Sequence, residues 1–175
     1  MIRRYVVIAA LAVAAAGCGD DAPTAPSGPP TTVVFNAALR PTNEVPPVTN
    51  ADAGATGAGT FTLNLTRDGA GTITAATGTF AYTLSGFPAG TTIQGTHIHT
   101  GGPGVNGGVL INSGLSAANT LTLATGAVTN QTYPAVAAIT ATQAQEIITN
   151  PNGFYFNVHT AINPGGAIRA QLVIQ

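Results

Sequence analysis

The chain has 175 residues, a formal net charge of −1, and charged side chains at only 6 % of its positions. With five lysines and arginines against six carboxylates, it has little field to steer nucleic acid or an anionic membrane surface, so no nucleic-acid partner is expected. One cysteine, Cys18, excludes an internal disulfide.

Met1-Ile2-Arg3-Arg4 followed by an apolar run over 5–16 predicts an export signal with a basic start and a short apolar middle. The run falls short of the roughly 20 apolar residues that cross a bilayer. It ends in Ala15-Ala16-Gly17-Cys18, which resembles a bacterial lipobox, with Ala15 where leucine is usual. The resemblance implies a signal peptide over 1–17, cleavage before Cys18, and lipidation of Cys18. Two or more acyl chains then give stable attachment to a membrane of the cell envelope. Gly19 follows the cysteine, so the aspartate that retains lipoproteins in the inner membrane is missing there. Outer-membrane or cell-surface display is therefore favoured. Residues 18–32 carry the cysteine and a Pro-rich, small-polar stretch that cannot bury a core, which predicts an extended tether. Residues 33–175 form one domain of ordinary size.

Within that domain, 61–66 alternates apolar and polar side chains, and so does 72–74 after Arg67-Asp68-Gly69; this predicts a hairpin. Further short strands are predicted over 79–84, 92–100, 109–111 and 120–123. β-Branched residues and frequent Gly and Pro predict an all-β fold: an antiparallel immunoglobulin-like or Greek-key sandwich or barrel. One short helix is predicted near 140–149, because Thr140 stands three residues before Gln143 in capping-box spacing and Asn150-Pro151-Asn152-Gly153 stops it. Beyond it, Phe154, Phe156 and Val158 take one face of a strand, and Tyr155, Asn157 and His159 the other. After a turn at 163–166, Ile168, Ala170, Leu172 and Ile174 supply an inward face, while Arg169 faces the polar side.

The domain keeps all three histidines of the chain, His97, His99 and His159. His97 and His99 share one face of their strand because successive side chains alternate. Three imidazoles would suit copper or zinc, and three protein ligands with an open fourth position is a catalytic rather than a structural zinc pattern. The His-x-His step also looks like the copper strand of copper/zinc superoxide dismutases, but no histidine remains to complete that centre. The competing reading is structural: the histidines, Thr100, Asn157, Arg169 and Glu44 form a hydrogen-bonded network that fixes strand register. Glu44 and Arg169 would then be a partly buried ion pair between first and last strands. If metal binds, Glu44 and Asn157 are the candidates to orient the imidazoles. Tyr82, Tyr133 and Tyr155 offer stacking platforms for a polysaccharide. The glycines of 101–108 lack the helix and lysine of a phosphate loop. No nucleophile elbow or paired carboxylates appear, so no catalytic residue is assigned.

Several ordered stretches closely resemble the CHRD domain, a module named from chordin. They are Phe35-Asn36-Ala37-Ala38-Leu39, Asn43-Glu44-Val45-Pro46-Pro47-Val48, Thr96-His97-Ile98-His99 with the glycines of 101–108, and 154–172 with Asn157-Val158-His159-Thr160, Asn163-Pro164-Gly165-Gly166 and Ile168-Arg169. Thr96 and Ala167 stand where the family often has alanine and glutamate. The resemblance implies an all-β, immunoglobulin-like or barrel-like fold and brings no established reaction. The leading expectation is a lipid-anchored, non-enzymatic binding or structural module of the envelope, with an unidentified protein or polysaccharide partner. The alternative is a copper- or zinc-binding domain using the three histidines, with redox chemistry as one outcome.

Overall fold

The structure is a computed structural model that describes residues 28–175. The expected signal, Cys18 and most of the expected tether lie outside the described residues. Among the described residues, ten strands form two antiparallel sheets. The first runs β10-β1-β2-β3-β7, from β1 (Thr32–Leu39), β2 (Thr56–Arg67), β3 (Ile73–Ser85), β7 (Val128–Pro134) and β10 (Val173–Ile174). The second runs β5-β4-β8-β9, from β4 (Thr91–Thr100), β5 (Val109–Asn112), β8 (Phe154–Thr160) and β9 (Ile168–Gln171), with β6 (Leu121–Leu123) also on β4. The all-β sandwich with one short helix is thus the observed architecture.

The two sheets bury their facing apolar rows against each other. Phe61 and Phe80 stand 5.0 Å apart within the first sheet, and Phe80 meets Phe156 of the second edge-on at 5.6 Å. Gly59 leaves room for that ring: a Cβ there would lie 3.3 Å from Phe156. Interlocking aromatic rows of this kind give the core its apolar burial and fix register, because a one-residue slip would turn each row to solvent.

The helix α1 (Ala141–Thr149) starts at the predicted capping box, with Thr140 and Gln143 bonded reciprocally. The hairpin after β2 is wider than a two-residue turn. Asp68 Oδ1 accepts from the backbone N–H groups of Ala70 and Thr72, and Gly71, not Gly69, takes the left-handed conformation. The separate segments read at 72–74 and 79–84 are one strand, β3. Its middle is marked by small residues because a Cβ at Gly78 would lie 2.8 Å from Ile139. The strand β7 has no predicted counterpart; it is an edge strand pairing only with β3, and lacks a large apolar row.

The end of the chain also departs from expectation. Ile168, Ala170 and Leu172 are buried as predicted, but Ile174 is 46 % exposed. The reason is that the backbone changes sheets at Leu172, whose N–H bonds to Phe154 O, and β10 then pairs with β1. One inward face does not continue through such a crossing.

Candidate metal centre

All seven residues of β8 are buried. Phe154, Phe156 and Val158 face the inter-sheet core, and Tyr155, Asn157 and His159 take the opposite face, as the alternation predicts. That second face is buried because three loops close over it. Asn106 Nδ2 donates to Val45 O at 2.7 Å, and Arg169 Nε donates to Asn43 O at 2.7 Å, joining the 101–108 and 40–50 loops to the sheet. The 161–166 loop is held by Asp52, a fully buried carboxylate that accepts from Thr160 Oγ1 at 2.6 Å and Asn163 Nδ2 at 2.7 Å. Asp52 is a residue that sequence reasoning missed; its one local signal is the polar Asn50-x-Asp52 turn before β2.

Across the β4–β8 ladder, His97 pairs with Asn157, His99 with Tyr155 and Gly95 with His159. The register therefore brings all three histidines together, with one candidate ligand atom from each lying within 4.8 Å of the others. Gly95 makes this possible: a Cβ there would stand 2.8 Å from His97 Cε1 and 3.5 Å from His159 Cδ2. His99 and His159 are buried, and His97 is half-buried.

Two backbone carbonyls fix the tautomers. His99 Nδ1 lies 3.0 Å from Gly107 O, and His159 Nδ1 lies 3.0 Å from Pro164 O. A carbonyl can only accept, so each Nδ1 carries the hydrogen, and in a neutral imidazole each Nε2 is then a bare lone pair. Burial keeps the rings neutral. It lowers His159 to about 4, against the pull of the Pro164 carbonyl and with help from His99. Burial likewise lowers His97 to about 4, aided by its two imidazole neighbours, and lowers His99 despite the Gly107 carbonyl.

The two bare nitrogens face each other: His99 Nε2 and His159 Nε2 are 3.3 Å apart. Neither has a hydrogen to give, so this is a contact of two lone pairs unless a cation lies between them. Two nitrogens bound tetrahedrally at the usual zinc distance stand about 3.3 Å apart. The residues present fit a metal ion of that kind. His97, whose Nδ1 is buried and has no hydrogen-bond partner, is the third donor ring, its centroid 4.7 Å from that of His159.

The surroundings differ from the expected network. Backbone carbonyls, not Glu44 and Asn157, orient the imidazoles. Glu44 Oε1, Asn157 Oδ1 and Arg169 Nη2 are buried without partners, so the network is not closed around them. Nor do Glu44 and Arg169 form the expected ion pair. Arg169 donates through Nε and Nη1 to Asn43 O, Asn106 Oδ1 and Val105 O, all neutral acceptors that the covering loops bring to it. Glu44 and Asn157 do meet at one point: a Cβ on Gly166 would lie 2.8 Å from both Glu44 oxygens and 2.6 Å from Asn157 Nδ2. Burial raises the Glu44 carboxyl to about 7, with Arg169 acting against it. Tyr82 and Tyr155 are each 2 % exposed, so they are not platforms for a polysaccharide. Tyr155 instead stacks on His99 at 4.9 Å with planes 10° apart, and Arg169 Cζ lies 4.4 Å from the Tyr155 ring centroid.

Comparison with known proteins agrees with the motifs read from the sequence. The family model for the CHRD domain matches residues 35–172. Searches of curated proteins and of solved structures return no match. The match runs from within β1 through β9 and takes in the three histidines and all three covering loops, and the chain belongs to the CHRD domain family.

Proposed function

We propose that this chain is a lipid-anchored, extracytoplasmic CHRD protein whose domain binds copper or zinc at His97, His99 and His159. The observation that carries the metal reading is the 3.3 Å contact between His99 Nε2 and His159 Nε2, with both Nδ1 atoms committed to carbonyls. Purely structural histidines would need a proton between the two Nε2 atoms, yet burial opposes charging either ring. A metal-bound histidine commonly donates its other nitrogen to a backbone carbonyl, which is the arrangement of His99 and His159. A metal would supply Lewis acidity or, for copper, electron transfer; the protein holds the ligands neutral and oriented and shields two of them from water.

The anchor reading rests on Ala15-Ala16-Gly17-Cys18 and the Pro-rich stretch behind it. Together they describe a metal-binding module displayed at the envelope, with the outer membrane or cell surface favoured by Gly19. The test is the metal content of the protein, purified in detergent and dialysed against Cu²⁺ or Zn²⁺, beside a His97→Ala/His99→Ala variant. Near-stoichiometric metal that the double variant loses supports the reading. Folded wild-type protein that takes up neither ion contradicts it, and returns the histidines to a structural role in a partner-binding module.

A further inference from the structure

We infer that the three-histidine centre takes copper as Cu(I) in preference to Zn²⁺, and that the charge of Arg169 sets this preference. The inference rests on reading the histidines as a metal centre and names the ion that the centre selects.

Three observations point the same way. The donor set is three imidazoles with no carboxylate or thiolate among them, so nothing in it offsets a second positive charge. The set ends at three donors, whose ligand atoms lie within 4.8 Å of one another. Cu(I) is satisfied by three nitrogens, whereas zinc takes four ligands and needs a fourth to enter. His99 and His159 are 7 % and 8 % exposed, which leaves only the His97 side for that entry.

The third observation is the fixed cation. Arg169 is 1 % exposed, and its guanidinium lies over Tyr155, which lies over His99. A positive charge is thus held one aromatic ring behind a metal ligand. Its hydrogen bonds go to two carbonyls and to the side-chain amide of Asn106, so no ion pair cancels it. Glu44 bears on Arg169 through space but accepts none of its hydrogen bonds, and burial leaves its carboxyl partly protonated near neutral pH. The guanidinium is 4.4 Å from the Tyr155 centroid, which is 4.9 Å from that of His99; a unit charge on the order of 10 Å from the ion, at an effective dielectric constant of about 20, repels a divalent ion by one charge unit more than a monovalent one. That difference changes the ratio of the two affinities by at least about tenfold.

Asn106→Asp gives the sharpest test. Asn106 is exposed, and its Oδ1 accepts from Arg169 Nη1 at 2.8 Å. A carboxylate there cancels the charge and keeps the contact with Arg169, but gives up the Nδ2 bond to Val45 O; Asn106→Ala, which loses both bonds without adding charge, is the control and should leave the ratio near that of the wild type. The affinity for Cu(I) is measured anaerobically against a chromogenic Cu(I) chelator, and that for Zn²⁺ against a zinc indicator, on the full chain in detergent. The wild type is expected to hold one Cu(I) more tightly than one Zn²⁺. Asn106→Asp, and Arg169→Met where it folds, should lower the Cu(I)-to-zinc affinity ratio about tenfold, and Arg169→Lys should lower it less. Tighter zinc in the wild type, or an unchanged ratio in Asn106→Asp, overturns the inference and leaves the metal centre standing. Binding of neither ion overturns both.

Discussion

Replacing Glu44 by Gln is predicted to make the metal-free domain lose stability faster on acidification. Glu44 is 5 % exposed, and burial raises its carboxyl from 4.5 to about 7, Arg169 pulling the other way. Between those values the folded carboxyl holds a proton that the unfolded chain has released. Its contribution to stability therefore grows as pH falls from 7 toward 4.5. His159 has the opposite sign. Burial lowers it from 6.5 to about 4, so the folded ring stays neutral while the unfolded chain takes up a proton. Its contribution is complete above pH 6.5 and is lost as pH falls toward 4. Between pH 4.5 and 6.5, each group changes the unfolding free energy by at most about 1.4 kcal/mol per pH unit, and the two oppose each other. Glu44→Gln should therefore steepen the acid loss by up to about 1.4 kcal/mol per pH unit, and His159→Gln should flatten it by a similar amount. Urea unfolding of chelator-stripped protein at pH 6.5, 5.5 and 4.5 gives the three slopes. A Glu44→Gln slope equal to or shallower than the wild type would refute the reasoning from burial.

Gly95→Ala should push the His97 ring from its place, since the new Cβ would stand 2.8 Å from His97 Cε1. Titration should find metal affinity down by about tenfold or more, from about 1.4 kcal/mol of lost ligation, with the melting temperature of the metal-free protein little changed. Gly166→Ala places a Cβ against Glu44 and Asn157 at a backbone φ of +134°. Strain and overpacking together should cost about 3 kcal/mol, read as a lower urea midpoint. Cys18→Ser should move the protein from the detergent phase to the aqueous phase in Triton X-114 partition; unchanged partition would sink the lipid-anchor reading.

The strand faces were legible where apolar and polar side chains alternate cleanly. In β8, large apolar residues alternate with Tyr155, Asn157 and His159, and both faces lie where the alternation puts them. The edge strand β7 was not legible, because its residues VTNQTYP carry no strong apolar row; the edge strands β5 and β6, which carry apolar residues, were read from the sequence. The turn of Ile174 to solvent was hidden for another reason: the change of sheet at Leu172 is a tertiary event that a period of two cannot report. At the site, the residue types and the shared face of His97 and His99 could be read, since His-x-His on an alternating strand is a local pattern; the convergence of His159 with them could not, because it depends on the β4–β8 register. What holds the imidazoles could not. Gly107 and Pro164 contribute backbone carbonyls, which any residue possesses, and only the closure of two loops aims them at Nδ1. The Glu44–Arg169 pair failed because charge complementarity in a sequence is blind to competing acceptors: Asn43, Val105 and Asn106 take the Nε and Nη1 hydrogens of Arg169, while its Nη2 has no partner.

The central claim is that two bare imidazole nitrogens face each other in order to share an ion. Its most direct test is the metal content of the detergent-purified protein after loading and gel filtration, measured by plasma mass spectrometry. The account predicts close to one copper or zinc per chain, with the His97→Ala/His99→Ala variant folded but empty. Wild-type protein that is folded and free of both metals, or a double variant that retains them, would contradict it.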